Sequence, residues 1–164
     1  MRALLAMSLL FAANVLADER HFASPNGKLE AHTVAANDDG TKMKLYLRRA
    51  NSGDAGVLLR QNNRWIDAKW SPDSRFLAVI DHPDGHMSDV YVFSVRPADG
   101  MPTLLYHTPD LHTYDVKWEI TGWDVQRREV TLDKTVKQEM PSKITHEKVV
   151  AHIGMNPLRL DPTE

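Results

Sequence analysis

Eight histidines and four tryptophans stand out in a chain of 164 residues that contains no cysteine. The densest polar group is Asp81, His82, Asp84, His86 and Asp89, with His107 and His112 in the next stretch. Two imidazoles beside carboxylates form a donor set for zinc or a similar ion. A competing reading is a turn. Asp84-Gly85 repeats Asp39-Gly40, and there Asp38 and Asp39 stand without a histidine. On that reading the histidines are additions to a structural loop, and neither metal nor cofactor is expected. The spacing from Asp81 to Asp89 also fails the calcium-loop pattern, because its glycine and closing acid are misplaced. His82, His86, His107 and His112 thus remain candidate binding residues.

The tryptophans divide in the same way. Trp65 follows Asn62, Asn63 and Arg64 at a strand start, and Trp123 follows Gly122. An indole offers a large apolar face and one donor, so either is a candidate stacking platform for a sugar or a peptide. Trp70 and Trp118 occupy equivalent places in a repeat and are expected in the core. Nucleophile signals are missing: there is no Gly-x-Ser-x-Gly elbow, no phosphate-cradling glycine loop and no His-Glu-x-x-His helix. Catalysis is therefore not expected. The alternative is a hydrolase whose acids converge only in space.

The elements that position these residues come from an internal repeat. Phe22 to Leu29, carrying Ser24-Pro25-Asn26-Gly27, parallels Lys69 to Phe76, carrying Ser71-Pro72-Asp73-Ser74, 47 residues on. Lys117-Trp118 marks a third start, 48 residues beyond Lys69-Trp70. Ser-Pro-Asn-Gly suits a type I turn, with serine accepting at the first position and proline presetting φ at the second. Each turn leads into an apolar run, then an Asp-Gly turn and a second run, which is a hairpin meander. Strands are expected at 29–35, 42–49, 56–60, 65–70, 76–81, 89–95, 102–107, 113–118 and 129–133. Phe76 to Ile80 is apolar at every position and needs cover on both sides. Leu29, Ala31 and Thr33 alternate with Glu30 and His32, and Val130 and Leu132 alternate with Glu129, Thr131 and Asp133. The first and third units are thus one-sided, as the ends of a stack must be for solubility. Residues 145–153 fit either a short helix stopped by Gly154 or a last strand on the third unit.

Lys plus Arg is 20 against 22 Asp plus Glu, a formal charge of −2, which excludes the broad basic surface of a nucleic-acid binder. Met1-Arg2, the apolar Ala3 to Ala13 and the small residues Val15 to Ala17 read as a secretory signal peptide over 1–17. The apolar run is shorter than the roughly 20 residues of a membrane span, so no span is expected after cleavage. A periplasmic or secreted location follows, and the lack of cysteine fits a bacterial envelope.

The segment Lys69 to Phe93, with Trp70-Ser71-Pro72-Asp73, Asp84-Gly85, Asp89 and Tyr91, resembles the blade repeat of TolB-type β-propellers. The resemblance is good over that repeat, fair over 22–49 and poor over 117–133, where Glu119 to Gly122 replace the turn. It implies an all-β fold and a role as a protein-interaction platform of the bacterial envelope, and it carries no enzymatic residue. Three units are too few to close a ring. The expected fold is an open stack or sandwich of about three antiparallel meander units over 18–135, with 136–164 packing on the last unit. The alternative is half of a six-bladed ring closed by dimerisation, and the monomer is favoured. The expected function is an exported, non-catalytic module for a protein partner. Loops 24–27, 71–74 and 119–123 at one end, or 36–41 and 82–88 at the other, would meet that partner. A carbohydrate-binding module using Trp65 or Trp123 is the second reading.

Overall fold

The computed structural model describes residues 19–37, 39–62, 64–96, 101–108, 115–138 and 143–154. The expected signal peptide and His112 lie outside them. The described residues form eleven strands and no helix. β1 (His21–Ala23), β2 (Leu29–Ala35), β3 (Met43–Arg49) and β4 (Val57–Asn62) make the first sheet, in sequence order. β5 (Trp65–Trp70), β6 (Phe76–His82), β7 (Asp89–Val95) and β8 (Pro102–His107) make the second in the same way. β9 (Asp115–Asp124), β10 (Glu129–Gln138) and β11 (Lys143–His152) make the third, and every pairing is antiparallel.

The sheets stack with the second in the middle. Side chains alternate across a strand, so β6 sends Leu77 and Val79 to one side and Phe76 and Ala78 to the other. The first pair packs with Leu29, Leu45 and Leu47 of the first sheet, and the second pair with Val116, Trp118 and Leu132 of the third. Two separate cores result, each between adjacent sheets. Fully buried side chains such as Leu77, Phe93 and Leu132 contribute roughly 1.5–3 kcal/mol each. The outer faces of the first and third sheets are covered by no other sheet of the described residues. The open all-β stack is the observed fold.

The two repeated turns match bond for bond. Ser24 Oγ accepts from the Leu29 amide and Ser71 Oγ from the Phe76 amide, each at 3.0 Å. Each hydroxyl also bonds the side chain two residues on, Asn26 at 2.9 Å and Asp73 at 2.7 Å. The fourth residue is left-handed in both, Gly27 at φ 67° and Ser74 at φ 62°. The turns also touch: the Asn26 amide donates to Ser74 Oγ at 3.1 Å, and Trp70 Nε1 donates to the Phe22 carbonyl at 2.9 Å. Polar links of this kind fix the first sheet against the second at this end.

The third unit departs from expectation. Residues 119–123 form no turn, because β9 runs through them to Asp124. Thr131 pairs with Gly122 and Leu132 with Ile120, leaving Thr121 as an extra residue. That bulge absorbs the irregularity and lets the strand continue. Residues 145–152 are strand rather than helix, since β11 pairs with β10 from Gln138↔Lys143 to Glu129↔His152. β10 crosses the division expected at 135/136, and β11 is one edge of the third sheet, with β9 the other. One residue of the first sheet's outer face also differs from its neighbours. His32 is 6% exposed because its cross-strand neighbours His21 and Tyr46 stack on either side, at 6.1 and 5.7 Å between ring centres.

Candidate functional site

Strand parity scatters the histidine cluster. Asp81 and His82 are adjacent in β6 and so face opposite ways. Asp81 turns toward the first sheet, where Arg60 Nε and Nη2 donate to its Oδ2 at 3.0 and 2.6 Å. Its side chain is 3% exposed, and burial raises its pKa despite the hydrogen bonds from Arg60. Arg60 also lies 3.9 Å over the Tyr91 ring, which stacks on His107 at 4.3 Å. His107 thus belongs to this first interlayer contact. Asp84 is engaged by its own turn, accepting from the amides of His86 and Met87 at 2.7 and 2.8 Å. His86 is exposed, with Nδ1 3.7 Å from Asp115. Among the described residues no group of three or more potential ligands is placed to hold a metal ion.

His82 faces the third sheet beside Trp65, its cross-strand partner. Their rings lie 4.7 Å apart and tilted by 53°, and Trp65 remains 53% exposed. Both line an open groove of about 630 Å³ whose lining comes from the second and third sheets and from Arg20. Asp67 and Ile80 extend the same wall. Arg20 reaches in from the segment before β1, 3.4 Å from Asp67 and from the Ile66 carbonyl. The rest of the lining comes from β9 and β10: Trp118 from the face that meets the second sheet, and Lys117, Glu119, Asp133 and Thr135 from the other face of the third sheet. His146 of β11 adds to the lining on that same outer face, its Nδ1 3.1 Å from Thr135 Oγ1. Burial pushes the His82 imidazole below its ordinary pKa, with Asp67 opposing the shift.

Backbone pairing keeps the groove's walls in register. Ser88 hydroxyl accepts from the Trp118 amide at 2.7 Å, and the Ser88 amide donates to the Val116 carbonyl at 2.9 Å. Lys69 Nζ donates to the Ile120 carbonyl at 3.0 Å. These contacts satisfy part of the open edge of β9, and they tie it to the second sheet.

Of the candidate residues, the groove unites only Trp65 and His82. Trp123 is half-buried and stacks on Phe76 at 6.3 Å and 13°, packed against the second core. It is therefore no exposed platform. Asp67, Asp133, Thr135 and His146 were not legible as site residues, because they come from three strands of two different sheets, β5, β10 and β11. Alternation within β9 to β11 was the available signal, once β11 is read as a strand.

No family model matches the chain, and no curated protein is similar to it in sequence. Among solved structures it is similar to a proposed 6-phosphogluconolactonase of Bacteroides uniformis, at 13% identity and TM-score 0.41 over 84% of this chain and 42% of that one. A proposed 6-phosphogluconolactonase of Bacteroides fragilis gives 13% identity and TM-score 0.42 over 84% and 40%. Hsv2 of Kluyvelomyces marxianus gives 17% identity and TM-score 0.30 over 82% and 49%. The chain thus spans about two-fifths of the length of the two Bacteroides structures.

Proposed function

We propose that this chain is a non-catalytic binding module working outside the cytoplasm, and that its ligand enters the groove lined by Trp65 and His82 of the second sheet and by residues of the third. One observation carries the reading: the four tryptophans are not used alike. Trp70 and Trp118 are 9% and 6% exposed, Trp123 is stacked on Phe76, and Trp65 alone of the four is more than half exposed, at a groove wall. Leaving so large an apolar surface in water costs free energy that a ligand would recover. The lining mixes Arg20 and Lys117 with Asp67, Glu119 and Asp133, which suits orienting a ligand more than concentrating one charge. The leader-like segment 1–17 supports export, and the resemblance of Lys69–Phe93 to TolB-type blades supports an interaction role.

The test is capture from envelope extract by the immobilised chain, wild type against Trp65→Ala, with circular dichroism to show that both are folded. The captured species should fall about tenfold with Trp65→Ala. Equal capture by both proteins would remove the groove from the reading. Chemical conversion of the captured species, followed by mass spectrometry, would instead support the hydrolase alternative.

A further inference from the structure

We infer that the groove beside Trp65 recognises a neutral saccharide chain, an inference that rests on the groove being the binding site. A pyranose presents a patch of C–H bonds on one face and hydroxyls around its rim, each hydroxyl both donor and acceptor. The complement is one aromatic face surrounded by donors and acceptors of both signs with little net charge.

The groove has that composition. Trp65 supplies the face, 53% exposed and held from one side by His82 at 4.7 Å. Glu119 and Asp133, opposite each other on β9 and β10, supply carboxylate acceptors, and Lys117 supplies a cationic donor. Thr135 and His146, 3.1 Å apart, add a hydroxyl and an imidazole that each donate or accept. Burial holds His82 toward its neutral form as well.

The same inventory disfavours the other classes. An anionic ligand such as a phosphate ester would meet three carboxylates, while Arg20 already leans on Asp67 at 3.4 Å. A cationic peptide would find the Lys117 and Arg20 side chains in its way, though a cation on the indole face is itself favourable. A lipid chain needs apolar walls, and apart from Trp65, Ile80 and Trp118 the lining is polar or charged. The volume of about 630 Å³ falls within the roughly 300–1,000 Å³ usual for small-ligand sites, room for a few sugar units.

The experiment titrates the folded chain with chitotetraose, cellotetraose and maltotetraose, following heat and indole emission. Glucose 6-phosphate and tetralysine serve as the anionic and cationic comparisons. At least one neutral tetrasaccharide should bind, with both charged probes about tenfold weaker or worse. Trp65→Ala should weaken that binding about tenfold, and Trp65→Phe, which keeps an aromatic face, should weaken it less. Asp133→Asn should reduce it severalfold while leaving the fold intact. Absence of binding by all three saccharides at millimolar concentration overturns the inference. Tetralysine binding that is tighter and lost in Trp65→Ala overturns the saccharide while leaving the groove in place. Capture from extract that ignores Trp65→Ala removes the groove itself, so the two failures are distinct.

Discussion

β6 and β11 both carry isoleucine and valine, yet they live in different surroundings. Every residue from Phe76 to Val79 is buried, whereas Ile144 and Val150 are 59% and 51% exposed. β6 has strands on both edges and a sheet against each face, while β11 has one neighbouring strand and an open outer face. The aliphatic residue itself is therefore a poor guide to its energetic weight. Position in the stack decides it.

The strongest test of that contrast is a pair of truncations. Leu77→Ala should destabilise the fold by about 2–5 kcal/mol, because its cavity opens between two packed sheets. Ile144→Ala should cost less than about 0.5 kcal/mol. Urea midpoints with unchanged slopes would measure both, and similar losses would erase the distinction between inner and outer sheets.

Ion pairs sharpen the comparison. Asp81→Ala leaves Arg60 without its buried hydrogen-bond acceptor and should cost about 2–3 kcal/mol at neutral pH, below a fully buried pair because Arg60 still touches water. Its pH dependence should oppose that of Glu30 on the outer face. Burial raises the Asp81 pKa in the fold, so the folded state holds its proton longer than the unfolded chain does. Stability from this group therefore falls as pH rises from the ordinary carboxylate range through the raised value, and the wild type's lead over Asp81→Ala narrows. At Glu30 burial raises the pKa too, but hydrogen bonds from Arg48 and His21 outweigh it and the net shift is downward. The wild type's lead over Glu30→Gln should be complete above the ordinary carboxylate value and vanish as pH falls through the lowered one. Parallel slopes in the two series would contradict this assignment.

Two glycines differ less, and for a legible reason. At Gly56, φ is +79° and an added Cβ would lie 2.2 Å from the Leu47 carbonyl oxygen; at Gly27, φ is +67° and nothing lies within 4 Å. Gly56→Ala should cost about 2 kcal/mol or more, and Gly27→Ala about 1 kcal/mol from backbone strain alone. Thermal melts would rank them, and the reverse order would mean that the β3–β4 connection relaxes freely. Smallest of all should be Ser74→Gly. It relieves a left-handed serine but removes the acceptor for the Asn26 amide, two effects of about 1 kcal/mol and opposite sign. A loss well above that would show the inter-turn hydrogen bond to be the stronger of the two.

Much of the architecture could be read in advance where local chemistry repeats. The Ser-Pro turns, the alternation in β2 and β10 and the unbroken apolar run of β6 each pointed to the observed element. The third unit misled because its Glu119–Gly122 was read by analogy with a turn. The alternation of Val116, Trp118 and Ile120 with Lys117 and Glu119 was already that of a strand. The candidate site was less accessible. Trp65 and His82 were visible as residue types, but Trp65 could not be told from Trp123. That choice depends on Phe76 lying beneath Trp123, a contact between sheets.

Residue order alone determined the strands, their tight turns and the need for a middle layer wet on neither face, because these follow from side-chain period and turn stereochemistry. Only the assembled sheets decided that Asp81 and His82 part company, that β11 completes the last sheet, and that one indole borders a groove. Those outcomes depend on which faces meet across the gaps between layers, and that is set by pairing and packing among strands distant along the chain.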